Sequence, residues 1–121
     1  VVVAWFNSFD IFAQSSYDVF VQRLCSQYKE YVRSVILFGS KARGDAGPES
    51  DVDLLVRLTS DDPYLRSKVR RLAARVSLEY DLLLSVQAVS PARWDELSRY
   101  RFPLYQAIEA EGIALTPQPQ P

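Results

Sequence analysis

The residues with the most capacity for chemistry run from Phe38 to Val56: Phe38-Gly39-Ser40-Lys41-Ala42-Arg43-Gly44-Asp45-Ala46-Gly47-Pro48-Glu49-Ser50-Asp51-Val52-Asp53-Leu54-Leu55-Val56. Gly39 ends an apolar run, and a glycine there lets the backbone approach a ligand because no Cβ is in the way. Amides at a strand-to-helix turn point outward and bind phosphate well. The Ser40 hydroxyl adds a hydrogen bond, and Arg43, one helical turn on, carries a fork of donors that suits a triphosphate oxygen. Asp51 and Asp53 follow at i and i+2, which on a strand puts both carboxylates on one face, about 7 Å apart at Cα. Paired carboxylates repel unless a cation lies between them. Oxygen ligands without Cys or His select a hard ion, Mg²⁺ or Mn²⁺. Such an ion beside a phosphate cradle serves phosphoryl or nucleotidyl transfer.

Each half of this pattern is weak alone, since Gly-Ser is usually a plain turn and Asp-x-Asp is common on surface strands. Joined by ten residues, each beside an apolar strand, they carry more. Asp53 is the sharpest point. It precedes Leu54-Leu55-Val56, so a carboxylate stands at the mouth of a buried strand, where an unpaired charge is costly and a metal ion removes the cost.

Composition narrows the chemistry further. The 121 residues are 48% hydrophobic and 24% charged, with a formal net charge of −1, which fits one soluble globular domain. There is no histidine, so imidazole acid–base catalysis, Ser-His-Asp hydrolysis and His-ligated metals are excluded. The single cysteine, Cys25, makes an intrachain disulfide impossible and reads as a small hydrophobe on a helix face. This usage fits a reducing cytoplasm. The charge balance names no obligatory nucleic-acid partner, and no stretch reaches the ~20 apolar residues of a membrane span.

The elements that must position the motif follow from hydrophobic periodicity. Ser15 or Ser16 reads as the N-cap of a helix from about 16 to 31, with Phe20, Val21, Leu24, Tyr28, Tyr31 and Val32 at helical spacing. Residues 34–38 form a buried strand that stops at Gly39, and 52–58 form a second. Asp62-Pro63 opens a helix to about 78 with Leu65, Val69, Leu72, Ala73 and Val76 on its buried stripe. Asp81 to Val89 reads as a third strand, and Ser90-Pro91 opens a helix carrying Trp94 and Leu97. Leu104, Tyr105 and Ile108 mark a last short helix closed by Gly112, and 113–115 suit a short edge strand. This order predicts an α/β (α+β) domain with a short mixed sheet flanked by helices. It spans 1–115, and the Pro/Gln run at 116–121 is expected to be a disordered tail.

Gly39-Ser40, ten residues, then Asp51-Val52-Asp53 resembles the signature of the DNA polymerase β-like nucleotidyltransferase superfamily. The fuller Gly39-Ser40-Lys41-Ala42-Arg43-Gly44…Ser50-Asp51-Val52-Asp53-Leu54 is similar to its minimal members, called MNT. The resemblance implies the small nucleotidyltransferase fold. It also implies that Gly39 and Ser40 hold the triphosphate of ATP with help from Arg43, and that Asp51 and Asp53 bind two Mg²⁺ ions. It implies a third carboxylate on the next strand, catalytic and metal-binding, for which Asp81 is the first candidate. Distance from Ser90-Pro91 points instead to Ser85, which shares a strand face with position 81, and Glu79 is a third choice.

One domain leaves no room for a separate acceptor site, so a partner is expected to supply it. The resemblance implies a HEPN-domain RNase toxin, with the MNT chain as antitoxin adenylylating a tyrosine of it. Two alternatives stay open: a catalytically weak binding module that neutralises its partner by occlusion, and a subunit transferring nucleotides to an aminoglycoside-like small molecule. Trp5, Phe6, Phe9, Ile11 and Phe12 suit either a partner or self-association surface or an arm packed on the chain's own core. Arg66, Lys68, Arg70, Arg71 and Arg75 suit contact with RNA or an acidic partner, but read chiefly as a solvated helix face.

Overall fold

A computed structural model describes residues 2–3, 17–44 and 51–115. Its elements are β1 (Val2–Val3), α1 (Tyr17–Tyr28), a 3-10 turn (Lys29–Tyr31), β2 (Val32–Phe38), α2 (Ser40–Arg43), β3 (Val52–Leu58), α3 (Pro63–Tyr80), β4 (Leu84–Val89), α4 (Pro91–Arg99), α5 (Pro103–Glu111) and β5 (Ile113–Ala114). Among the described residues the strands form one mixed sheet in the order β1-β5-β2-β3-β4. β3 runs antiparallel to β2 and parallel to β4, and α3 makes the crossover between β3 and β4. The expected mixed sheet with flanking helices is the fold observed. The apolar start, the Ser15/Ser16 cap and the 116–121 tail lie outside the described residues.

Period-two alternation along β3 assigns its two faces. Val52, Leu54, Val56 and Leu58 join Phe20, Val21 and Leu24 of α1 and Leu65, Val69, Leu72, Ala73 and Val76 of α3 in the larger core cluster. Each large side chain fully buried there contributes roughly 1.5–3 kcal/mol of hydrophobic free energy. Leu55, on the opposite face, packs with Ile36, Val89, Leu97 and Ile108 beneath α4 and α5. Asp53 has the parity of Leu55, so it belongs to the α4/α5 face. Cys25 packs against the larger cluster as a small hydrophobe, where burial pushes its thiol pKa up.

The caps explain where α3 and α4 begin. Asp62 Oδ1 accepts from the Tyr64 N–H at 2.9 Å with Pro63 in the first turn, and Ser90 Oγ accepts from the Arg93 N–H at 3.1 Å with Pro91 in the first turn. Two expectations are corrected, and one is explained. The third strand starts at Leu84 and not at Asp81, because α3 continues to Tyr80 and residues 81–83 are used in reversing the chain. Gly112 closes α5 as its C-cap, with φ −65° and its N–H bonded to Ile108 O. Its small size matters there, since a Cβ would lie 2.5 Å from Ile108 O and 2.8 Å from Ile36 Cγ2. β5 is not an edge: it sits between β1 and β2.

Candidate active site

The end of β2 and the start of β3 are neighbours in the antiparallel ladder, where Phe38 is opposite Asp53. This register brings the two halves of the sequence motif together. The backbone turns sharply at Gly39, with φ 77° and ψ −158°, a region essentially restricted to glycine. A Cβ on Gly39 would stand 2.3 Å from Asp53 Oδ2. The close approach expected of this glycine is therefore made to a carboxylate of the site itself.

α2 is a single turn beyond that glycine. The N–H groups of Ala42 and Arg43 both donate to Gly39 O at 3.1 Å, and Gly44 closes the turn with φ 80° while its N–H donates to Ser40 O. The amides of Ser40 and Lys41 precede these bonds, so they are the donors left for a ligand at the start of the turn. Ser40 is half-buried and Arg43 exposed. Arg43 Nη1 donates to Glu111 Oε2 at 2.8 Å, tying α2 to the last residue of α5.

Asp51 is exposed just before β3 and Asp53 is half-buried within it. Burial, first, and then the neighbouring Asp51 charge push the Asp53 pKa up; Arg43 opposes this and Glu111 adds to it. The Asp53 carboxylate thus lies between one cation and two anions. A divalent ion fits this donor set: Mg²⁺ is commonly held by one or two carboxylates together with substrate phosphates, and it removes the Asp51–Asp53 repulsion.

Asp81, the first candidate for a third carboxylate, lies at a helix end and not on the strand. Asp81 is the C-cap of α3, exposed, with φ 50° and its backbone N–H bonded to Ser77 O. The register partner of Asp53 on β4 is Ser85. Among the described residues no three or more His, Cys, Asp or Glu side chains are grouped to hold a metal ion. Glu79 is engaged elsewhere, in a bidentate pair with Arg23 at 2.8 and 3.1 Å. The helix C-cap consumes residues that the apolar pattern assigned to the strand. Sequence reasoning also missed Glu111, which comes 68 residues after Arg43 and has no local motif to mark it.

Residues 18–107 match the family model described as "Nucleotidyltransferase domain". The chain belongs to the nucleotidyltransferase domain family. Two proteins of Methanocaldococcus jannaschii named as putative protein adenylyltransferases are similar to it. MJ0141 is 49% identical over 59 residues, covering 47% of this chain and 59% of the relative. MJ0604 is 32% identical over 96 residues, covering 79% of this chain and 90% of the relative. The chain thus spans less than two thirds of MJ0141 and most of MJ0604. In structure, it is similar to a chain in the crystal structure of a mutant toxin–antitoxin MntA-HpeT, with a TM-score of 0.54 and 21% identity, covering 87% of this chain and 75% of the other. At that identity the likeness speaks for the fold. Among the described residues no helix is long and apolar enough to cross a membrane.

Proposed function

We propose that this nucleotidyltransferase-family chain is a protein adenylyltransferase. It transfers AMP from ATP to a hydroxyl, a tyrosine, of a HEPN-domain RNase toxin in the cytoplasm, and so acts as its antitoxin. The observation that carries the reading is the seating of the Asp53 carboxylate against Gly39, which joins a metal-binding position to a phosphate-binding turn. The names of the M. jannaschii relatives and the toxin–antitoxin neighbour support the acceptor and the pairing.

In this reading Gly39 and Ser40 present backbone amides and a hydroxyl to the triphosphate, and Arg43 neutralises one of its oxygens. Asp51 and Asp53 hold Mg²⁺, which on binding would orient the pyrophosphate leaving group and lower the pKa of the attacking hydroxyl. The rest is positioning: β3 fixes the carboxylates, the Gly39 turn fixes the phosphates, and the acceptor oxygen enters in line with the α-phosphorus.

Ser85 favours a second reading. A neutral hydroxyl beside Asp53 holds a second metal ion poorly, and a slow or silent transferase would then neutralise its partner by occlusion. Incubation of the chain with its HEPN partner, ATP and Mg²⁺ separates the two. Intact-mass analysis showing one AMP added to a partner tyrosine supports transfer. A stable complex of unmodified mass supports occlusion.

A further inference from the structure

Glu111 stands on an unusually fixed mount. It is the last residue of α5, and its side chain is 20% exposed. Gly112 follows, buried between Ile108 O and the Ile36 side chain, with its N–H bonded to Ile108 O at 2.9 Å. Ile113 and Ala114 then join the sheet, opposite Leu37 and Ile36 of β2. The Glu111 backbone is therefore pinned to the same strand whose end carries Gly39.

Arg43 has the opposite character. It ends a helix of four residues bounded by two positive-φ glycines, and its side chain is 49% exposed. One helical turn has little stability of its own, and a long arginine side chain visits many rotamers. The 2.8 Å bond to Glu111 Oε2 restricts it. Asp53 senses both charges, Arg43 as attraction and Glu111 as repulsion, which puts all three groups in one local field.

We propose that Glu111 is a positioning residue that holds the Arg43 guanidinium at the Gly39–Ser40 turn, directed at the triphosphate. The proposal rests on the phosphate-binding reading of Gly39, Ser40 and Arg43. A guanidinium carries five N–H donors, more than a bond to Glu111 uses. Pre-ordering it lowers the entropy lost on nucleotide binding.

The test is a double-mutant cycle on the full chain, with affinity for Mg²⁺ and α,β-methylene-ATP measured by calorimetry. Glu111→Ala and Arg43→Ala are each expected to weaken binding about five- to twentyfold. The double variant should bind no more weakly than Arg43→Ala alone. Glu111→Gln, which keeps an acceptor at the same reach, should recover part of the loss and guards against a folding defect. Fully additive losses overturn the proposal. Tighter binding by Glu111→Ala also overturns it, because the carboxylate would then compete with the phosphate. If the wild-type chain binds no nucleotide with Mg²⁺ or Mn²⁺, the phosphate-binding reading fails and the proposal falls with it.

Discussion

The carboxylate of Asp53 occupies the space that a side chain at position 39 would need, with Oδ2 only 2.3 Å from where a Cβ on Gly39 would stand. The two most diagnostic residues of the sequence are thus a steric pair, and neither can be changed without affecting the other.

Gly39→Ala therefore adds an atom where the carboxylate sits and places an L-residue at φ 77°. Backbone strain of this kind costs about 1–3 kcal/mol, and Asp53 must move as well. The expected outcome is a lowered midpoint of urea denaturation and loss of Mg²⁺-dependent ATP binding. Wild-type affinity in this variant contradicts the phosphate-cradle assignment.

Asp53 carries a cost that shows in its pH dependence. Its pKa is raised above the usual carboxylate value, by burial first and by Asp51 next. For an acid raised in the folded state, stability decreases as pH climbs from the unfolded to the folded pKa, and the deficit persists above. Asp53→Asn should accordingly raise the melting temperature at pH 7 without metal, while transfer is lost. Mg²⁺ should stabilise the wild type and leave the variant unmoved, which thermal melts with and without the ion would show.

A second buried acid lies away from the site. Asp18, in the first turn of α1, is 4% exposed, and neither carboxylate oxygen has a hydrogen-bond partner among the described residues. Burial pushes its pKa up to about 6. Ionisation thus opposes folding, fully so above that pH, and the wild type should gain stability as pH falls from 8 towards 4. A shift of this size corresponds to about 3 kcal/mol at most. Asp18→Asn should be more stable than wild type at pH 8 and lose that advantage at pH 4. Equal urea stability of the two chains at pH 8 contradicts this account.

Ser85 and Asp81 make opposite predictions. Ser85 is the β4 register partner of Asp53, so Ser85→Asp should supply a third carboxylate and raise metal affinity and the rate of transfer. Asp81, with φ 50° at the α3 C-cap, should tolerate glycine with unchanged transfer and a gain of about 0.5–1 kcal/mol. A severe loss of transfer in Asp81→Gly, with the fold intact, would return the third position to Asp81.

The sequence was most informative where one physical signal acted alone. The strand over 52–58, the Asp62-Pro63 and Ser90-Pro91 starts and the stripe from Leu65 to Val76 were legible, because each depends on neighbours in the chain. The α3–β4 junction was not, because Leu82, Leu83 and Leu84 look alike in sequence, while Leu84 is the first with a register partner on β3. What separates them is the left-handed turn at Asp81 and the bonding of the Leu82 N–H to Ser77 O, and neither leaves a periodic trace. Gly112 was legible as the end of α5, but the reason for a glycine was not: a Cβ there would meet Ile108 O and Ile36 Cγ2. The Arg43–Glu111 pair joins residues 68 positions apart, and only the fold puts them together.

The central claim is that Gly39, Ser40, Asp51 and Asp53 perform nucleotidyl transfer to a protein, and the position of the label in ATP tests it most directly. The chain should be incubated with its HEPN partner and Mg²⁺, in parallel with α-labelled and γ-labelled ATP. Label on the partner from the α position only, absent with Asp51→Asn or Asp53→Asn, is the predicted result. Label from the γ position, or α-label undiminished by either substitution, would contradict the account.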